Sequence, residues 1–229
     1  MGLRKMGKLI VIEGLDGSGK STQLSRLQAY FEQKQARVQT VSFPAYELPS
    51  CQPVKMYLNG EFGTHPSDVN AYAASLLYAV DRFASYKKQW EAFYQNGGTV
   101  LAGRYVTSNI IHQCSKLPKE QWTAFMNWLL DLEYQKVGIP KPNVVVFLEV
   151  PIQVSQGLLN KRYAQNGGVK DIHENDLAYL ARCHEAAAFA AKHCGWQVIQ
   201  CCRGNEMRSV EDIFNDILHC IEQNGILEG

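Results

Sequence analysis

The chain has no Cys-x-x-Cys pair among its seven cysteines, Cys51, Cys114, Cys183, Cys194, Cys201, Cys202 and Cys220. Structural zinc sites and thiol–disulfide motifs rely on such spacing, so buried, reduced thiols are expected instead. Nor does any run approach the roughly 18 apolar residues that cross a bilayer. Membrane association is not expected, and reduced thiols point to the cytoplasm. The opening MGLRKMGKLIVIEG is basic and then briefly apolar, and it leads into glycines rather than a cleavage site. It reads as a strand and not as a secretory signal. An excess of one charge is also lacking: 23 Lys and Arg against 22 Asp and Glu leave a net +1. That excludes the broad basic field of a nucleic-acid-polymer binder, and any phosphate recognition must be local.

What is there fits one globular unit. Residues 1–229 show no internal repeat and no interdomain linker, with 46% hydrophobic and 20% charged residues. Lys8–Glu13 is a continuous β-branched run typical of a strand covered on both faces. Leu24, Leu27 and Phe31 follow at helical spacing, and Val38–Phe43 alternates until Pro44. Ser67 and Asp68 are placed to cap a long helix reaching about Asn96, stopped by Gly97 and Gly98. Thr99–Ala102 and Val144–Val150 read as strands. Between them, a helix beginning near Pro118 carries Trp122, Phe125, Met126, Leu129 and Leu130 and ends at Gly138. Pro151–Tyr163 reads as a helix, 164–171 as a glycine-bearing stretch, then a helix ending near His193–Gly195, a strand at Trp196–Cys201 and a helix at Ser209–Gln223. Strands alternating with helices predict an α/β fold, a parallel sheet with helices on both faces.

Between the first strand and the first helix stands Gly14-Leu15-Asp16-Gly17-Ser18-Gly19-Lys20-Ser21. This matches the P-loop pattern, which points successive backbone N–H groups and a helix N-terminus at phosphate oxygens. Lys20 would reach the β and γ phosphates of ATP, and the Ser21 hydroxyl would sit on the accompanying Mg²⁺. A P-loop alone does not choose among kinases, GTPases and mechanical ATPases. The missing Asn-Lys-x-Asp signature and the small size favour a small-molecule acceptor.

Several residues could form that acceptor's site. Tyr78 and Arg82, four apart on a helix, could stack on a nucleobase and donate to its carbonyl, though spacing alone favours a half-buried tyrosine beside a surface arginine. Arg104 follows a strand at the carboxyl end, where open α/β sheets put ligands, and could clamp a phosphate, with Ser108 and Asn109 one turn further on. A surface arginine with an ordinary helix cap fits the same residues equally well. Lys161, Arg162 and Lys170 flank Gly167-Gly168 at about 161–172, which could close as a lid or could simply be solvated.

Taken together, Gly14–Ser21, Phe43-Pro44, Leu76-Leu77-Tyr78 through Asp81-Arg82, Arg104-Tyr105 with Ser108-Asn109, and Pro140-Lys141-Pro142 resemble thymidylate kinases over nearly the whole chain. The resemblance implies a three-layer P-loop fold with a small lid, a homodimer, and Mg²⁺-assisted phosphorylation of dTMP by ATP. It implies nucleotide contacts from Gly14, Asp16, Gly17, Ser18, Gly19, Lys20, Ser21 and Thr22. On the acceptor side, Asp16 would meet the deoxyribose 3′ hydroxyl and Tyr78 would stack on thymine. Arg82 and Asn109 would read the thymine edge, and Arg104 with Tyr46 would hold the acceptor phosphate beside Phe43, Ser108 and His112. Lys20, Arg104 and a lid cation, first choice Arg162, would be catalytic.

The sequence departs from that pattern in three places. Gly103 stands where an aspartate usually precedes the arginine, Ala45 where an arginine often follows Phe-Pro, and His112 where an aromatic residue screens out a 2′ hydroxyl. These leave open a kinase for another nucleotide or nucleoside, and a nucleotide-binding homologue of weak catalysis. Charge and size disfavour a DNA-processing ATPase.

Overall fold

The computed structural model describes residues 6–166 and 177–226. Five parallel strands form one sheet in the order β2-β3-β1-β4-β5: β1 (Lys8–Glu13), β2 (Val38–Ser42), β3 (Thr99–Gly103), β4 (Val144–Glu149) and β5 (Gln197–Gln200). β1 pairs Ile12 with Gly103 on one side and with Val146 on the other. This central position explains its unbroken apolar run. Leu9 and Val11 face one hydrophobic cluster, and Ile10 and Ile12 face the other.

Helices α1 (Lys20–Gln33) and α9 (Val210–Gln223) cover the Ile10–Ile12 face through Leu24, Leu27, Phe31, Phe214, Ile217 and Ile221. The Leu9–Val11 face packs against α5 (Val106–Cys114), α6 (Trp122–Leu130) and α8 (Leu177–Cys194), using Ile110, Ile111, Phe125, Met126, Tyr179 and Ala187. The helix–sheet–helix order matches the expected fold class. It leaves the carboxyl ends of β1, β2 and β3 open together, where a crevice forms beside the strand-order reversal.

The long helix differs from expectation. It is divided into α3 (Ala71–Ser85), a π-helical turn at Tyr86–Trp90 and α4 (Glu91–Gln95). Its cap is Asn70, whose side chain accepts from the Ala73 N–H at 2.9 Å. Ser67 and Asp68 belong to a separate short turn, Pro66–Asp68, in which the Asp68 carboxylate takes the His65 N–H at 2.9 Å. Asp68 is thereby committed two residues too early to cap α3. Three further features lay outside the sequence reading. Helix α2 (Gln52–Leu58) and the small hairpin of β6 (Cys202–Arg203) and β7 (Glu206–Met207) are additional, and α7 (Ile152–Asn166) runs three residues past the expected Tyr163. Of the lid expected at about 161–172, residues 161–166 continue α7, while 167–172 and the side chains of Lys161, Arg162 and Lys170 lie outside the described residues.

All seven cysteines are free. Burial pushes the Cys114 and Cys201 thiols up to about 12 and Cys183 up to about 11, so all three stay protonated at neutral pH.

Candidate active site

The turn from β1 into α1 needs its glycines. Gly17 has φ 81°, and a Cβ there would lie 2.5 Å from the Ser155 carbonyl oxygen, so no other residue fits without moving α7. Lys20 reaches back over the turn, donating to the Leu15 carbonyl at 2.7 Å with its ammonium 3.9 Å from Asp16. Ser18 Oγ is buried without a hydrogen-bond partner among the described residues. Asp16, Ser18, Gly19, Ser21 and Thr22 thus surround a concave mouth at a helix N-terminus, whose N–H groups suit an anion, while Gly14 is set back from its lining.

Arg104 stands at the end of β3, directly opposite. Its φ of 62° is a left-handed conformation that costs a non-glycine residue about 1 kcal/mol or more. The surrounding contacts hold it there. Its guanidinium is ion-paired with Asp16, donates to Ser108 Oγ at 3.1 Å, and lies 3.4 Å from His112 Nε2. Burial alone would raise the Asp16 carboxyl, but Arg104, Lys20 and His112 outweigh it and hold the group well below the usual carboxylate range. Burial likewise opposes the Arg104 charge, and Asp16 and Glu13 more than offset it.

Behind Arg104 is a residue that the sequence reading passed over as part of a strand. Glu13 is fully buried and accepts from Thr107 Oγ1 at 2.6 Å, Ser108 Oγ at 2.8 Å and the Gly14 N–H at 3.0 Å. Ser108 therefore gives its proton to Glu13 and takes one from Arg104. A carboxylate ending an otherwise apolar run was the signal available in the sequence.

The nucleobase-sized end of the cleft lies between α3 and α5. Tyr78 is half-buried, its ring edge-on to Tyr57 at 6.3 Å. Arg82 is not at the surface: it is 2% exposed and binds Glu133 bidentately, with Nε to Oε2 at 3.2 Å. Burial lowers the Arg82 pKa and Glu133 raises it by more, so the guanidinium stays charged. Asn109 donates to the Ser75 carbonyl at 3.3 Å, while its Oδ1 has no partner among the described residues. The same holds for both amide atoms of Gln113, one turn further along α5 and completely buried. Gln113 went unnoticed, although its i+4 relation to Asn109 puts it on the same face. Three unsatisfied amide atoms along one wall suit a ligand with its own donors and acceptors.

Phe43, in a cis peptide with Pro44, packs 5.7 Å from the Tyr105 ring, and Tyr105 donates to the Pro140 carbonyl at 3.0 Å. Tyr46 is 48% exposed at the rim. Phe43, Tyr46, Tyr78, Arg82, Arg104, Tyr105, Asn109 and Gln113 line one cleft of about 860 Å³, which continues past the glycine loop to Leu158, Tyr163, Met207, Arg208, Val210 and Ile213. That volume lies within the ordinary range of small-molecule sites.

The fit to a magnesium ion is specific in one respect. Among the described residues no group of three or more His, Cys, Asp or Glu could hold a metal. Gly103 brings no carboxylate, and a Cβ there would meet Leu24 Cδ1 at 2.6 Å. Ser21 supplies a hydroxyl on the first turn of α1. The residues fit an ion delivered on nucleotide phosphates, with Ser21 as its protein ligand, and not an ion bound alone.

A glycine loop at a helix N-terminus, set against the Arg104 guanidinium by the Asp16–Arg104 ion pair in one cleft of a parallel sheet, fits a P-loop phosphotransferase. The family described as thymidylate kinase matches residues 12–213. A thymidylate kinase of Mycobacterium tuberculosis is 30% identical over 191 residues, covering 82% of this chain and 87% of that protein. A probable thymidylate kinase of Thermococcus gammatolerans is 29% identical over 226 residues, covering 98% and 100%. The solved thymidylate kinase of Candida albicans superposes with a TM-score of 0.70 at 22% identity, covering 96% of this chain and 93% of that one. This chain belongs to the thymidylate kinase family and is a kinase. Among the described residues no helix is long and apolar enough to cross a membrane.

Proposed function

We propose that the chain transfers the γ-phosphoryl group of ATP to the 5′-phosphate of dTMP, giving ADP and dTDP. The observation that carries this reading is the direct contact between Arg104 and Asp16, which sets the acceptor cation against the donor loop. Transfer between two bound phosphates needs alignment and positive charge and little covalent chemistry, since a monophosphate oxygen is already a nucleophile. Lys20 and the loop N–H groups from Gly14 to Thr22 hold the donor, Arg104 and Tyr46 hold the acceptor phosphate, and Asp16 meets the sugar 3′ hydroxyl. Tyr78 stacks on thymine, and Arg82, Asn109 and Gln113 read its edge. Glu133 keeps the Arg82 plane fixed, which supports discrimination between base edges. Magnesium, when bound with ATP through Ser21, would neutralise charge on the bridging oxygens.

The lid cation is assigned to Arg162 on family resemblance, and the free thiols suit the cytoplasm. A homodimer is supported by α3, whose Tyr72, Leu76, Val80 and Phe83 form one apolar stripe, each more than 40% exposed.

A coupled ADP-release assay with ATP and magnesium, offering dTMP, dUMP, UMP, dGMP and thymidine separately, tests this reading. Preferred turnover of dTMP supports it. Equal turnover of all acceptors, or none by a protein that still binds ATP, refutes it.

A further inference from the structure

The two walls of the acceptor slot, α3 with Tyr78 and Arg82 and α5 with Asn109 and His112, meet at a group to which no role has so far been assigned. Lys116 lies two residues beyond the end of α5. Its ammonium nitrogen is 2.8 Å from Tyr57 Oη on α2 and 3.0 Å from the Val69 carbonyl, immediately before the Asn70 cap of α3. One side chain therefore ties α2, the start of α3 and the end of α5 together. Tyr57 is fully buried, and its ring stands edge-on behind Tyr78, so its position sets how far the Tyr78 ring can retreat from the cleft.

A purely structural cross-link of this kind is more cheaply built from neutral groups, because a half-buried ammonium loses hydration that two neutral oxygens only partly replace. Burial pushes the Lys116 pKa down to about 7. The hydrogen bonds do not depend on that titration. A neutral amine keeps two N–H donors, enough for both oxygens.

We propose that Lys116 is a positioning residue for the acceptor slot, acting as a strut that holds Tyr57 against Tyr78 and fixes the separation of α3 and α5. The proposal rests on the acceptor-site reading above and adds a residue that touches neither nucleotide.

The test compares wild type, Lys116→Met, Tyr57→Phe and the double variant for KM of dTMP, KM of ATP, kcat and the Kd of dTMP by calorimetry. Methionine keeps the apolar stem, and phenylalanine keeps the ring against Tyr78 but removes the acceptor oxygen. The strut predicts that KM and Kd for dTMP rise about five- to tenfold in Lys116→Met, the scale of one net hydrogen bond, while KM of ATP and kcat stay within about twofold. Tyr57→Phe should show a smaller rise in the same direction, and the double variant should be no worse than Lys116→Met, as groups in one network are non-additive. If wild type binds dTMP and both single variants bind it equally well, or if KM of ATP rises in parallel, the strut is wrong. If wild type itself fails to bind dTMP, the acceptor-site reading falls first and the strut with it. Should Lys116→Met not fold, Tyr57→Phe alone decides, since an unchanged dTMP Kd in that variant overturns the proposal.

Discussion

Replacing Glu13 with glutamine changes one atom type at the centre of the site and leaves its volume intact. The carboxylate now accepts from two hydroxyls and the Gly14 N–H. A glutamine offers one acceptor oxygen and an NH₂ group. The hydroxyls can rotate to accept from the NH₂, but the Gly14 N–H cannot, so the amide oxygen must turn to it. The amide oxygen then keeps both the Gly14 N–H and the Ser108 hydroxyl, while the NH₂ group meets Thr107 Oγ1, whose own proton loses its partner. Hydrogen bonds to a charged group are worth about 1.5–3 kcal/mol each, part of which a neutral amide recovers, so a net loss of about 2 kcal/mol is expected. The same change removes the negative charge that helps hold the Arg104 guanidinium, and 2 kcal/mol corresponds to about 30-fold. Glu13→Gln should therefore lower kcat/KM for dTMP by about 10- to 30-fold and lower urea stability by about 1–2 kcal/mol, with KM for ATP within about twofold. Steady-state kinetics with each substrate varied, together with urea melts, measure both. A folded variant with kcat/KM for dTMP within twofold of wild type would refute the idea that Glu13 orients Arg104.

Other perturbations give distinct outcomes. Arg82→Met leaves the buried Glu133 carboxylate unpaired and should cost about 3–5 kcal/mol in chemical denaturation, most of it recovered in Arg82→Met/Glu133→Leu. Asp81, 1% exposed, has its pKa raised by burial, only partly offset by the Ala45 N–H, Arg82 and Ser50. Its folded pKa exceeds the unfolded value near ~3.9, so the stability it contributes is full below that pH and is lost as pH rises through the folded pKa. Asp81→Asn should therefore gain melting temperature relative to wild type at pH 7.5 and not at pH 3.5, and equal shifts at both would contradict this. Gly103→Asp should lose stability through its contact with Leu24 Cδ1, and Leu24→Ala, which opens a core cavity of its own, should cost less in that background than in wild type, both read from thermal melts.

Local signals in the sequence carried the sheet and the glycine loop, because β1 is apolar on both faces and the P-loop spacing lies within eight residues. The helix boundaries were less legible. Several residues near α3 could cap it, and only the folded chain shows Asp68 occupied by His65 while Asn70 is available. The candidate site was legible as residue types and not as pairings. Arg82 meets Glu133 across 51 positions and Arg104 meets Asp16 across 88, distances at which spacing carries no information. The buried amides of Gln113 stand out only once their surroundings are seen to offer them no partner.

The measurement that bears most directly on the central claim is ³¹P NMR of the purified protein with ATP, magnesium and dTMP. The account predicts that the dTMP phosphate signal declines as the two phosphorus signals of dTDP appear, in step with ADP and without inorganic phosphate. Release of inorganic phosphate with dTMP unchanged, or no change in a protein that binds both nucleotides, would contradict it.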